Sequence, residues 1–336
     1  MPSPTASPAA KPKVHVLATG GTIAGVQADP ARHGYTAGAS TVETLVEAVP
    51  NLQELAAVTA EQVVNIPSQD MDEAVWLTLA RRLAAVTARP DTDGIVVTHG
   101  TDTLEETAFF VDLTVATFKP IVFTGAMRPA TAISADGPLN LFNAVAVAAA
   151  PAATGRGTLV VMNDTILSAR DAYKLHTSRV ETFRAPERGP LGLVDTGCAI
   201  FHQPPPATRP PVFELGQRTD LPKVFILHAH AGMTRELIDA ACAAGARGLV
   251  VAGVGNGNMT APALAALAGA AAAGLAVVRA TRLGEGTVMR NAEVDDDRLG
   301  FVVANEFKPG KARALLQLAL TTTRDAKAIQ AIFDRT

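Results

Sequence analysis

Two short stretches place a threonine hydroxyl just beyond an apolar run. Val14-His15-Val16-Leu17-Ala18 leads into Thr19-Gly20-Gly21-Thr22-Ile23-Ala24-Gly25, and Gly94-Ile95-Val96-Val97-Thr98 leads into His99-Gly100-Thr101-Asp102-Thr103. A threonine hydroxyl is a weak nucleophile until a neighbour takes its proton or lowers its pKa. Tyr35, Asp102 and Lys174 are residue types that could help, since a lysine beside a carboxylate and a second threonine can relay a proton. Taken one at a time, each has a plainer role: a helix cap, a turn tyrosine, a helix-start aspartate, a surface lysine.

Other chemistries fit less well. Gly20, Gly21 and Gly25 do not have the G-x-G-x-x-G spacing. Gly20 and Gly25 do have P-loop spacing, but Val26-Gln27 follows where lysine and a hydroxyl residue are needed. No G-x-S-x-G elbow occurs. His228-Ala229-His230 could be half a metal site, but neither HExxH nor a cysteine cluster accompanies it, so a hydrogen-bonded pair is the reading. Cys198 and Cys242, the two cysteines, are not spaced as CxxC and read as small buried residues.

The elements that must position the threonines follow from periodicity. Short β-rich runs alternate with longer helical patterns, the signature of βαβ units and a parallel sheet. Strands are expected at Val14–Ala18, Gly94–Thr98, Pro120–Thr124, Thr158–Met162, Val224–His228, Gly248–Ala252 and Ala276–Ala280. Met71, Val75, Leu79 and Leu83 give the helix expected over Asp70–Ala88 one apolar face. A short helix is expected at Thr41–Val49 and a packed alanine-rich one at Ala261–Ala273. Pro309–Thr321 and Arg324–Phe333 read as closing helices. Thr103-Leu104-Glu105-Glu106 has capping-box spacing, which puts Thr101 and Asp102 in a strand-to-helix turn. Asp136-Gly137-Pro138 opens a further helix running to about Ala150.

At 336 residues, with 48% hydrophobic and 18% charged residues, the chain suits a well-buried α/β protein of two domains. A net charge of −3 and 4% aromatic residues give no reason to expect nucleic acid or an anionic membrane as partner. Residues 1–13 read as a flexible leader without an apolar secretory core. The proline-rich stretch 203–222 reads as a linker between a larger domain, 14–202, and a smaller α/β domain, 223–336.

The chain resembles the bacterial L-asparaginase family, its type II branch in particular, from Val14 to the C-terminus. The two threonine motifs carry the resemblance, together with an ordered set that follows. Its members are Ser68-Gln69-Asp70-Met71, Gly125-Ala126-Met127-Arg128-Pro129, Ser134-Ala135-Asp136-Gly137, Met162-Asn163-Asp164, Arg170-Asp171-x-x-Lys174, Gly255-Asn256-Gly257-Asn258 and Ala292-Glu293-Val294-Asp295-Asp296. The resemblance implies a larger N-terminal domain with a mostly parallel sheet flanked by helices, and a smaller C-terminal α/β domain.

It implies hydrolysis of L-asparagine to L-aspartate and ammonia without metal or cofactor. Thr22 is the expected nucleophile, Tyr35 its lid-borne partner, and Thr101, Asp102 and Lys174 the second catalytic set. Asp102 and Glu293 are implied to meet the substrate ammonium, with Gln69 and Asn258 as uncharged partners. Ser68 and backbone N–H groups would take the carboxylate. A backbone N–H pair near Thr101 could form an oxyanion hole. Asn258 and Glu293 are implied to come from a neighbouring chain of a homotetramer built as a dimer of dimers.

Some positions depart from the family. Gln69 stands where glutaminase-leaning members often carry glutamate, and His228-x-His230 replaces a Tyr-x-Tyr found in many members. The disulfide of some periplasmic members has no matching cysteine pair, which with the leader's composition leans towards the cytoplasm. The periplasm would apply to a processed form. Three rival readings remain: a glutaminase-asparaginase, a tRNA-dependent amidotransferase subunit and a non-catalytic amino-acid-binding protein. The second would need an extra N-terminal domain and a basic surface, and the third does not explain the full catalytic set.

Overall fold

The computed structural model describes residues 10–25, 42–49, 51–207 and 212–336. Two main sheets and a two-stranded ribbon divide the strands. The larger comprises β1 (Lys13–Gly20), β2 (Ala57–Ile66), β3 (Gly94–Thr98), β4 (Ile121–Thr124), β5 (Thr158–Met162), β6 (Thr165–Ser168), β9 (Gly192–Asp195) and β10 (Cys198–Phe201), in the order β10-β9-β6-β5-β4-β3-β1-β2. Pairing is parallel from β5 through β2 and antiparallel from β5 to β10. Between β6 and β9 the chain forms a small antiparallel ribbon, β7 (Tyr173–Lys174) with β8 (Phe183–Arg184). The smaller sheet is parallel throughout: β11 (Val224–His228), β12 (Gly248–Gly253), β13 (Ala276–Thr281) and β14 (Val302–Val303).

Helices α1 (Val42–Glu47), α2 (Leu52–Leu55), α3 (Glu73–Thr87), α4 (Leu104–Thr114) and α5 (Gly137–Ala149) belong to the N-terminal part. Helices α6 (Glu236–Ala243), α7 (Ala261–Ala272), α8 (Asp296–Leu299), α9 (Pro309–Ala319) and α10 (Ala326–Arg335) follow. The period-two alternation of a strand sorts the larger sheet's side chains between two cores. Val96 packs with Leu141 and Val145 of α5, whereas Ile95 and Val97 pack with Leu79, Phe109 and Phe110 of α3 and α4. The second of these cores continues through Leu315 and Leu316 of α9 to Val250 and Val278 of the smaller sheet. Leu249, Val251 and Val277 face the other way, onto Ile238 and Leu267. A layer that includes α4 and α9 is thus common to both sheets.

All seven expected strands are present, within a residue or two at their ends. Strands β2, β6 to β10 and β14 are additional. Edge strand β2 is only half-buried along its length and has no apolar run to betray it. The described residues between β10 and β11 carry no helix or strand.

Local details correct several expectations. The helix expected from Asp70 starts at Glu73, because Asp72 caps it through its carboxylate on Val75 N at 2.8 Å. Thr103 stands at the N-cap of α4, but its hydroxyl donates to Ser68 O at 2.7 Å instead of capping. Asp136 does not cap α5: its carboxylate accepts from Met127 N and Arg128 N, both at 2.9 Å. Cys198 and Cys242 are exposed and unpaired, not buried. Cys198 begins the edge strand β10, and Cys242 lies off the face of α6 that buries Ile238 and Ala241.

Candidate active site

The chain orders β2, β1 and β3 side by side and parallel, so their carboxyl ends deliver three turns to one edge. Register pairs Ala18 with Thr98 and Gly20 with Ile66. The connection from β1 runs outward to β2, and the chain then returns to the opposite side of β1 as β3. That reversal makes a topological switch point, where open parallel sheets bind ligands. Past it lie Thr22, Ser68 with Gln69, and Thr101 with Asp102.

Glycines let these turns abut. At Gly21, with φ of +84°, a Cβ would sit 2.4 Å from both Gly100 Cα and Gly100 N. At Gly20, with φ of +100°, it would meet Ile66 O at 2.6 Å. The clearance serves backbone against backbone, not the approach of a ligand. Thr22 and Thr101 each stand one residue beyond the Gly21–Gly100 contact, and both are buried. Thr22 opens a single 3-10 turn, Thr22–Ala24. Thr19 Oγ1 ties the two strand ends by donating to Thr98 O at 3.0 Å.

Thr101 is the centre of a short polar chain. Lys174 Nζ donates to Thr101 Oγ1 at 2.8 Å and to Asp102 Oδ1 at 2.6 Å. The Thr101 hydroxyl is shielded, while the Asp102 side chain is 58% exposed and open to a ligand. Ser68, buried on the Ser68–Asp70 turn, accepts from Asp102 N at 3.2 Å. The Asp102 N–H beside Thr101 is therefore engaged by Ser68. Gln69 is exposed on the same turn.

Two groups hold Lys174 from behind, the partly buried Glu105 and the fully buried Lys311. The Lys174 backbone N donates to Glu105 on α4, and Lys311 on α9 donates to the carbonyls of Ala169, Arg170 and Ala172 at 2.8, 2.8 and 2.6 Å. The Lys311 ammonium also lies 3.9 Å from the ring centre of Tyr173. Burial pulls Lys311 down to about 7 against the attraction of Glu105, and burial pushes the Glu105 carboxyl up. Nothing in the sequence reading singled out either residue for this role. A signal exists for Lys311, which shares the helical spacing of buried Leu315 and Ala319 and so stands on an apolar face.

Two further expected residues, Asn258 and Glu293, belong to the C-terminal part. Asn258 Nδ2 donates to Glu293 Oε2 between two loops of the C-terminal part, and Asn258 Oδ1 is buried without a hydrogen-bond partner. The two do not hydrogen bond to Thr101, Asp102 or Lys174 among the described residues. Tyr35 lies outside the described residues. His228 and His230 are exposed, with His230 Nδ1 at 2.9 Å from Ala231 O. Among the described residues no group of three or more His, Cys, Asp or Glu could hold a metal ion, and no helix is long and apolar enough to cross a membrane.

Comparison with known proteins bears on this arrangement. A family model described as Asparaginase, N-terminal matches residues 13–207, and the Glutaminase/Asparaginase C-terminal domain matches residues 223–333. The chain belongs to the asparaginase family. It is 50% identical to L-asparaginase 2 of Escherichia coli (strain K12), over 97% of this chain and 94% of that one. It is 43% identical to glutaminase-asparaginase of Pseudomonas fluorescens biotype A, over 95% and 89% of the two chains. The crystal structure of probable cytoplasmic L-asparaginase from Campylobacter jejuni superposes with a TM-score of 0.93 at 42% identity, covering 97% of this chain and all of that one.

Proposed function

We propose that the chain is an L-asparaginase that hydrolyses the side-chain amide of L-asparagine through an acyl-enzyme on a threonine. The observation that carries this reading is the Lys174–Thr101–Asp102 chain, set at a sheet switch point beside the turn that presents Thr22. Relatives with nearly full-length coverage bear the names L-asparaginase or glutaminase-asparaginase, which supports the substrate class.

Thr22 Oγ attacks the amide carbon, and the carbonyl π pair moves to oxygen. Collapse of that oxyanion expels the amide nitrogen, which takes up a proton and leaves as ammonia. Water then attacks the threonine ester, releasing L-aspartate and restoring the hydroxyl. Tyr35 is assigned to orienting or deprotonating Thr22. Lys174, donating to Thr101 Oγ1, leaves the threonine's own hydrogen free to point towards substrate or water. In that state Thr101 polarises the reacting group; to act as a base-assisted nucleophile it would first need Lys174 to lose a proton. Ser68 and backbone N–H groups are assigned to the α-carboxylate, and Asp102 and Glu293, with Gln69 and Asn258 as uncharged partners, to the α-ammonium.

Asn258 and Glu293 are assigned to the site of a neighbouring chain in a homotetramer built as a dimer of dimers. Dissociation then abolishes turnover before unfolding, and full activity in dilute monomer would refute the shared site. The domain division at the proline-rich stretch 203–222 is part of the same reading. We place the enzyme in the cytoplasm, the compartment in the name of the Campylobacter jejuni neighbour; cell fractionation tests this.

Ammonia release from asparagine and glutamine, measured side by side with Thr22→Ala and Thr101→Ala, tests the function. Asparagine should be preferred, and each variant should lose nearly all turnover. Wild-type rates in both variants would overturn the mechanism. Equal rates on the two amides would favour the glutaminase-asparaginase alternative, which the Pseudomonas fluorescens relative keeps in view.

A further inference from the structure

Arg279, on β13, is completely buried and faces the equally buried Asp296 at the start of α8. Its guanidinium uses all five N–H donors. Nε meets Asp296 Oδ1 at 2.5 Å, and Nη2 meets Asp296 Oδ2 at 2.7 Å and Met289 O at 3.3 Å. Nη1 reaches the carbonyls of Asn256 at 3.0 Å and Gly257 at 3.2 Å. Two cross-links complete the arrangement: Asn256 Oδ1 accepts from Met289 N at 2.8 Å, and Asp296 Oδ2 accepts from Asn291 N at 2.9 Å.

The segments tied together are the ones that carry Asn258 and Glu293. Gly257 immediately precedes Asn258, while Met289 and Asp296 flank Glu293. A buried ion pair is a poor device for stability alone, because well-packed apolar residues serve as well or better. Its planar donor fork can, however, fix several carbonyls at once, which an apolar pair cannot. Gly257 is fitted to it: with φ of +75°, a Cβ there would meet Arg279 Nη1 at 3.2 Å and Val288 Cγ1 at 2.9 Å.

We infer that Arg279, paired with Asp296, is a positioning residue for recognition of the substrate's α-ammonium, holding the Asn258 and Glu293 loops in one geometry. This rests on the assignment of those two residues to the ammonium under the proposed function. The pair touches no reacting atom. Its loss should weaken selection of an α-amino acid while leaving the threonine chemistry in place, whichever chain's site the loops complete.

The test compares the intact enzyme with Arg279→Lys, Asn256→Ala and Glu293→Ala. The readouts are kcat and KM on L-asparagine, inhibition constants for L-aspartate and for succinate, which lacks the ammonium, and thermal melting. Arg279→Lys keeps a charge but not the fork. It should raise KM and the L-aspartate inhibition constant by about 10²-fold, the scale of a misplaced positioning group, with kcat within a few-fold and succinate inhibition little changed. Asn256→Ala, which leaves the buried pair intact, should shift the same two constants in the same direction by a few-fold. It carries the test should Arg279→Lys not fold.

A fall in kcat alone, or equal weakening of aspartate and succinate, in variants that fold would overturn the inference. So would an unchanged KM in Asn256→Ala, if that variant alone folds. Glu293→Ala separates the two levels: should it leave the preference for aspartate over succinate intact, the ammonium assignment itself fails. Loss of that preference in Glu293→Ala but not in the Arg279 and Asn256 variants refutes only the positioning role.

Discussion

At the sheet edge, Lys311 reaches from α9 to three carbonyls of the bend just before Lys174, while in the C-terminal loops Arg279 grips three carbonyls around Asn258 and Glu293. Both cations are fully buried. They differ in how their charge is met. Arg279 has a bidentate carboxylate in contact, whereas Lys311 donates to neutral oxygens and feels Glu105 and Asp171 without hydrogen bonding to either. The guanidinium fixes directions in a plane, and the ammonium gathers acceptors around a point. The first suits two separate loops that must keep register. The second suits a single bend, the one that feeds the β7–β8 ribbon and aims Lys174 at Thr101.

The two buried cations should therefore fail in different kinetic constants. Lys311→Met conserves length and removes the charge, leaving the carbonyls of residues 169, 170 and 172 without their donor. Lys174 then loses its aim, and kcat on L-asparagine should fall on the order of 10²-fold with KM changed only a few-fold, since general acid–base positioning is worth roughly that much. Burial of the ammonium costs stability that methionine would not incur, so melting is a poor guide here and the kinetic split is the diagnostic. A rise in KM with kcat preserved would erase the contrast with Arg279.

How far the sequence disclosed this is uneven, for a physical reason. The parallel strands were legible because an apolar run closed by glycine, such as residues 94–100, has few alternatives to a buried strand. Thr101 and Lys174, 73 residues apart, could be joined only through family resemblance, because no local rule brings a two-residue ribbon against a strand-to-helix turn. The half-buried β2 was missed, and with it the reason Ser68 lies beside Asp102. Thr103 illustrates a local rule overridden by tertiary structure: its capping-box spacing was correct, yet Ser68 O took its hydroxyl. Gly21 makes room for Gly100, a close approach of two distant turns that no local pattern announces. Arg279 carried no sequence signal beyond a charge in an apolar strand.

A smaller effect should mark the sheet-edge half under acid conditions. His99, completely buried between β3 and Thr101, makes one hydrogen bond from its Nδ1 side, to Gly100 O at 2.7 Å, and its Nε2 has no hydrogen-bond partner. Burial holds its pKa down to about 4 from an ordinary 6.5, despite the opposing carbonyl. Between those values the unfolded chain binds a proton that the folded one refuses. Stability from this group is therefore complete above pH 6.5 and is lost as pH falls to 4, by about 3 kcal/mol. Urea unfolding at pH 7 and pH 4.5 should show that slope in the parent and a flatter one in His99→Gln. Parallel slopes would remove His99 as the source.

The weakest expected effect isolates what burial contributes to the Arg279–Asp296 pair. Arg235, at the N-cap of α6, and Asp239, in its first turn, also form a guanidinium–carboxylate contact, with Nε to Oδ2 at 2.6 Å. It uses the same two nitrogens as the buried pair, with Nη2 to Oδ1 at 3.3 Å, but its side chains are 69% and 50% exposed. Water already solvates both charges there, and salt screens what attraction remains. Arg235→Ala should leave melting temperature, KM and kcat unchanged within measurement error. An effect comparable to that of Arg279→Lys would mean that the ion pair itself, and not its hold on the Asn258 and Glu293 loops, accounts for the loss in both variants.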